Sequence, residues 1–170
     1  MAEQRFFVYL ELEEYLAQWL VNEHGGEVPI EFIRGSAERD ILELFLTKRP
    51  KGYRPEQVSI NMVPIVIPWF KKRDPKYYHY FDSNAKNALK GCIINRFDVQ
   101  LWQDLHRFGY IGKQQKDIIY AWMSKHGIDD SHWDTIAKRY QRKRNAYLAT
   151  QRKEMSRLKA NIEDKQKENT

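Results

Sequence analysis

From Lys138 to Lys159 the chain places Lys138, Arg139, Arg142, Lys143, Arg144, Arg152, Lys153, Arg157 and Lys159 against a single acid, Glu154. Cations at this density neutralise phosphates and release the counterions condensed on a polyanion. Gln141 and Asn145, inside the same run, supply amide groups that can pair with a base edge. Lys138, Arg139, Gln141, Arg142, Lys143, Arg144 and Asn145 therefore form the first candidate nucleic-acid site. A helix charged only for solubility interleaves Glu with Lys at i, i+4 spacing, and this run lacks the acids to do so. Replacing Arg139, Arg142, Lys143 and Arg144 together by Ala is expected to weaken duplex binding without unfolding the chain.

A second basic cluster pairs Lys71, Lys72, Arg73 and Lys76 with Tyr77 and its neighbours Trp69, Tyr78, His79 and Tyr80. Flat rings stack on unpaired bases while cations hold the backbone. The same residues equally suit a loop whose tyrosines cover the junction between two halves of the chain.

Nothing in the chain spells out a catalyst. His126, Asp129, Asp130 and His132 crowd one turn, yet the two Asp are also ordinary turn and N-cap residues, so no metal site is assigned. Tyr110, Ile111 and Gly112 match half of a GIY-YIG nuclease signature without its other half. There is no phosphate-binding glycine loop, zinc-finger pair or Gly-x-Ser-x-Gly elbow, so no catalytic residue and no cofactor are expected. The lone Cys92, beside Ile93 and Ile94, reads as a small core residue.

The elements that must position these side chains are set by periodicity. Phe6, Val8, Leu10 and Leu12 alternate with more polar neighbours, as in a half-buried strand; Tyr15, Leu16, Trp19 and Leu20 then share a helical face that Gly25 and Gly26 terminate. Val28, Ile30 and Phe32 alternate again, Ser36 can cap a helix through Ile41, Leu42, Phe45 and Leu46 that Pro50 and Gly52 end, and Val58, Ile60 and Met62 form a third alternating run. Pro64 and Pro68 confine the apolar run around them to a sheet edge or an extended arm. Past Pro75 helical spacing takes over. Asp82 or Ser83 caps one helix through Ala85, Leu89, Cys92 and Ile93, and Asp98 a second through Leu101, Trp102, Leu105 and Phe108, closed by Gly109. A third runs from about Lys113 to His126, and Ser131 with Asp134 starts a long fourth.

The segment from Ile119 through Gly127 to Arg139 resembles a helix-turn-helix, whose second helix would lie in a major groove while the first braces it. Trp122, Ile128, Trp133 and Ile136 fall at core positions of that motif. Met123 stands where it usually has a small residue.

With 170 residues, 42% of them apolar and 14% aromatic, the chain can bury a substantial core. Its +6 charge is unevenly spread: residues 1–60 have seven Lys and Arg against eleven Asp and Glu, whereas residues 131–170 have eleven against five. The expected fold class is α+β: an acidic α/β unit of order β-α-β-α-β over residues 1–70, then a mostly helical basic unit over 71–160. That unit contains the helix-turn-helix-like segment 113–145 and a long basic C-terminal helix, with a frayed polar tail over 161–170. Acids punctuate the apolar residues near the N-terminus, so no signal peptide or spanning helix is expected, no membrane is involved, and a cytoplasmic setting is the expectation. The function expected is non-catalytic binding of nucleic acid, duplex DNA in the first instance, with the acidic unit serving a homodimer or another protein. The alternative is a structural or adaptor protein of a phage or mobile-element assembly, its basic helix docked on an acidic protein.

Overall fold

A computed structural model describes residues 5–55, 57–108 and 114–168, with the side chains of 108, 114 and 163–168 left aside. The expected stop at Gly109, the Tyr110–Gly112 match and the start at Lys113 lie outside the described residues. The fold is mixed α+β: a small strand-and-helix N-terminal region leads into a helical region that ends in one long helix.

Strand β1 (Phe7–Glu11) pairs antiparallel with β3 (Met62–Val66), in the register Phe7 to Val66 and Glu11 to Met62. Helix α1 (Glu14–Glu23) buries Tyr15, Leu16, Trp19 and Leu20. Positive-φ Gly25 and Gly26 follow its C-cap residue, His24. Ser36 accepts a hydrogen bond from the Arg39 amide and starts helix α2 (Ala37–Phe45), with Glu38 and Asp40 favourably placed in its first turn.

The intervening Val28, Ile30 and Phe32 run is not a strand but a single parallel bridge at Ile30. Its cause lies in two prolines. The Ile30 amide donates to Pro64 O, and the Val66 amide donates to Ile30 O. Backbone N–H and C=O of one strand residue point the same way, so the Pro64 nitrogen also faces this segment, toward Val28, and it has no hydrogen to extend the ladder. Two residues beyond Val66, Pro68 likewise lacks the donor that would continue the ladder to Phe32. Val58 and Ile60, expected to open the third strand, are exposed, and pairing begins only at Met62. A short pair not anticipated from periodicity, β2 (Thr47–Lys48) with β4 (Tyr78–Tyr80), closes the sheet region and ends α2 before Pro50.

Helix α3 (Ser83–Leu105) is continuous where two helices were expected. Asp82 is its cap, accepting from the Ala85 amide. Asp98 is not a cap: it sits mid-helix, with its carboxylate directed sideways at Arg139 and Lys143. The buried residues of α3 are Ala85, Leu89, Ile93, Phe97, Leu101 and Leu105, an unbroken i, i+4 series. At 3.6 residues per turn that stripe drifts by about 40° per step, so α3 turns successive faces toward different neighbours. Phe97 is the hub, its ring meeting Tyr15 at 5.5 Å, Trp19 at 5.2 Å and Trp122 at 5.7 Å. One contiguous core therefore runs from Val8 on β1 to Tyr140.

One polar contact ties α2 to α3. Buried Glu38 on α2 meets Arg96 at 2.8 Å. The His24 imidazole, by contrast, has its Nε2 buried without a hydrogen-bond partner, and burial, with help from Arg96, depresses its pKa below the ordinary 6.5. Below pH 6.5 the unfolded chain then binds the extra proton more readily than the fold does. Stability is complete above the unfolded pKa and falls as the pH drops below it. In urea unfolding at pH 5 to 7.5, His24→Phe is expected to flatten this slope; a slope identical to wild type would locate the dependence in other groups.

Helix α4 (Gln114–Lys125) ends at Gly127, whose φ is +67° and whose missing Cβ leaves room for Asn22, 2.8 Å from where it would stand. Asp129, rather than Ser131, is the cap, accepting from the Ser131 amide ahead of a short 3-10 turn over 130–132. Helix α5 (Trp133–Glu168) then runs 36 residues. The frayed tail expected from residue 161 is instead helix as far as Glu168.

Candidate nucleic-acid interface

Helix α5 has two faces with separate duties. Ile136 and Tyr140 are buried, and Tyr147 meets Trp102 of α3 at 5.2 Å. Projected at 100° per residue, the same stripe continues through Met155, Leu158 and Ile162, each more than half exposed. On the opposite side lie Lys138, Arg142, Arg152 and Lys153, with Asn145 among them, while Arg157 and Lys159 flank the stripe on either side of Leu158, all exposed. No ion pair involves these six cations among the described residues. From Lys138 to Lys159 they span about 32 Å at 1.5 Å rise per residue, close to one turn of a B-form duplex at ~34 Å.

The other residues of the first candidate site are placed differently. Arg139 Nη1 donates to Asp98 Oδ1 at 3.0 Å, and its guanidinium lies over the Tyr15 ring at 5.5 Å. Burial opposes its charge, but Tyr15 and Asp98 outweigh that, and its pKa is raised. Burial in turn pushes the Tyr15 hydroxyl up to about 12. Lys143 Nζ is 3.6 Å from the other Asp98 oxygen. Arg139 and Lys143 thus fasten α5 to α3, so the four-residue Ala replacement removes a structural tie along with surface charge. Arg144 is half-buried beside Tyr140, while Gln141 and Asn145 are exposed and hydrogen-bonded to each other at 3.0 Å.

The second cluster also divides. Arg73 Nη1 donates to the Glu43, Leu44 and Leu46 carbonyls, closing the C-terminal end of α2, where a cation satisfies orphan acceptors and the helix dipole together. Lys71, Lys72 and Lys76 are exposed, and Lys76 Nζ lies 5.7 Å from the exposed Tyr77 ring. The structure does not bring this cluster to the α5 face through any contact among described residues. A periodic wheel alone would have extended the α5 site beyond Asn145 to Arg152 and Lys153, with Arg157 and Lys159 at its edges. Asp98 as the partner of Arg139 had no comparable signal.

His126 is buried, its Nδ1 2.9 Å from Glu23 Oε1 and its Nε2 3.5 Å from Asp104 Oδ2. Trp122 Nε1 donates to the same Asp104 oxygen at 2.9 Å. This joins α1, α3 and α4. Asp129 is committed to its cap, and His132 Nε2 lies 3.6 Å from Glu14. Among the described residues no cluster of His, Cys, Asp and Glu is placed to hold a metal ion, and no described helix is long and apolar enough to cross a membrane. The chain matches no protein-family model, no curated protein and no solved structure.

Proposed function

We propose that this protein binds nucleic acid, duplex DNA foremost, by laying the outer face of α5 along the phosphate backbone, without catalysis. The carrying observation is the segregation of α5: apolar residues and Asp98-bound cations on the inner side, exposed Lys138, Arg142, Arg152 and Lys153 on the outer, with exposed Arg157 and Lys159 at its edges. Asp129, Asp130 and Asp134 crowd the amino end of α5, so phosphate contact is assigned to the helix beyond its first turn. In this reading α4 and the Gly127 turn brace α5 as in a helix-turn-helix, the helix being met along its side rather than by its tip. Affinity is then largely electrostatic, and log K falls with log salt at a slope near −5, about 0.9 per phosphate neutralised.

A second reading draws on the exposed Met155, Leu158 and Ile162. That stripe suits an apolar partner surface, with the flanking cations meeting an acidic protein, as in an adaptor of a phage or mobile-element assembly. Fluorescence anisotropy of the full chain with labelled duplex, across 50 to 300 mM salt, separates the two. Micromolar or tighter binding with a steep negative slope is expected. No binding at the lowest salt would transfer α5 to a protein interface.

A further inference from the structure

Two surfaces of the chain stand open, and each is the complement of the other. On α5 the exposed Met155, Leu158 and Ile162 form the apolar stripe, with Arg157 and Lys159 on either side of Leu158 and the exposed Glu154 one turn before it. A groove of about 710 Å³ lies between the end of β1, the start of α1 and the segment leading into β3. Its lining includes Glu11, Glu13 and Glu14, all exposed, against one cation among the described lining residues, Lys90. Val28 and Ile60 add apolar surface to it, and Ile60 is 99% exposed, so covering it removes apolar area from water. The stripe is thus apolar with two cations and an acid beside it, and the groove is apolar with three acids and a cation.

The α5 of the same copy does not reach this groove. Glu14 lies 3.6 Å from His132, with its side chain still 74% exposed, so the groove sits at the root of α5. From Trp133 to Met155 the helix axis runs about 33 Å at 1.5 Å per residue, with no glycine or proline at which to turn back. Where α5 meets α3 it passes from Asp98, beside Arg139, to Trp102, beside Tyr147, and so moves away from Lys90. Only a second molecule brings stripe and groove together. Each copy carries one of each, so a two-fold axis forms both docks at once and closes the assembly, whereas a single dock leaves open ends.

We propose that the distal half of α5 docks in the acidic groove of a second copy, reciprocally: Met155, Leu158 and Ile162 against Val28 and Ile60, Arg157 and Lys159 toward Glu11, Glu13 and Glu14, and Glu154 toward Lys90. The inference rests on the reading of the stripe as a protein-docking face and names its partner. Duplex binding by Lys138, Arg142, Arg152 and Lys153 does not enter it.

Sedimentation equilibrium of the full chain, over about 1 to 100 µM, tests this. Wild type is expected to pass from monomer to dimer across that range, and to do so at higher concentration as salt screens the charged pairs. Leu158→Glu in the stripe and Ile60→Arg in the groove each alter a side chain that is already exposed, so the fold is spared. Each should weaken dimerisation about tenfold or more, because a like charge then faces its counterpart across the interface. Mixing the two variants should recover dimers that neither forms alone: the stripe of one fits the intact groove of the other, and the two altered positions meet as opposite charges. Wild-type dimerisation of Ile60→Arg would set the stripe against some other surface and overturn the assignment, as would loss in both variants without recovery in the mixture. A wild type that stays monomeric throughout would overturn self-docking alone, since the stripe would remain open to a foreign acidic protein and duplex binding is read separately by anisotropy.

Discussion

Changing Lys138, Arg142, Arg152 and Lys153 together to Gln is expected to lower duplex affinity about a hundredfold at 0.1 M salt and to make the salt slope shallower by between three and four, at about 0.9 per lost phosphate contact. These four side chains are exposed and make no ion pair among the described residues. Stability should therefore move by no more than roughly 0.5 kcal/mol per site. Anisotropy against a labelled duplex reads the first effect and thermal unfolding the second. Wild-type affinity in the quadruple variant, at matched salt, would remove the outer face of α5 from the interface. A uniform loss across unrelated duplex sequences is also expected, because phosphate contacts position a protein without reading bases.

Arg139→Met is expected to behave in the opposite way: a stability loss of about 2–3 kcal/mol in urea unfolding, with duplex affinity of the folded fraction little changed. The guanidinium is 3.0 Å from Asp98, and the two side chains retain 23% and 16% of their exposure. Removing one member of a fully buried pair costs about 3–5 kcal/mol because the other charge is stranded; residual solvent and Lys143 at 3.6 Å reduce the figure here. Asp98→Leu combined with Arg139→Met should recover to within about 1 kcal/mol of wild type, since neither charge is then left uncompensated. A single-variant loss under about 0.5 kcal/mol would mean that α5 is held by its apolar stripe alone.

Much of the architecture was legible from periodicity, for reasons visible in particular residues. Tyr15, Leu16, Trp19 and Leu20 mark α1 because a helix with one wet side must repeat at three and four, and Ser36 marks the start of α2 because its hydroxyl can satisfy an amide that has no other partner. The two-residue β2 and three-residue β4 are too short to display alternation. Asp98 illustrates a different ambiguity. An Asp ahead of an apolar run looks like a cap, but with no Gly or Pro beside it the helix continues and the carboxylate serves a neighbour 41 residues away. The long helix suffered from the same kind of limit, since the residues after Ala160, polar except for Ile162, carry no sign of where a helix already under way should stop.

The candidate site was legible in composition and not in allocation. Charge along residues 138–145 identified α5 as cationic, but which cations face water depends on what packs beneath them, and Arg139, Lys143 and Arg73 all proved to be committed to the fold. A cavity lined by Phe7, Tyr53 and Tyr80 lay beyond reach for a related reason: these positions become neighbours only after β1 and β4 are placed.

The segregation of α5 also bears on how such a protein can change over generations. Substitutions at Lys138, Arg142, Arg152 or Lys153 alter the attraction to a polyanion while leaving untouched the Asp98 ties and the Ile136 and Tyr140 packing that hold the helix in place. Mutations can then raise or lower affinity one charge at a time without first crossing a folding threshold. A lineage could drift between tight and weak binders, or trade a nucleic acid for an acidic protein, on an unaltered scaffold.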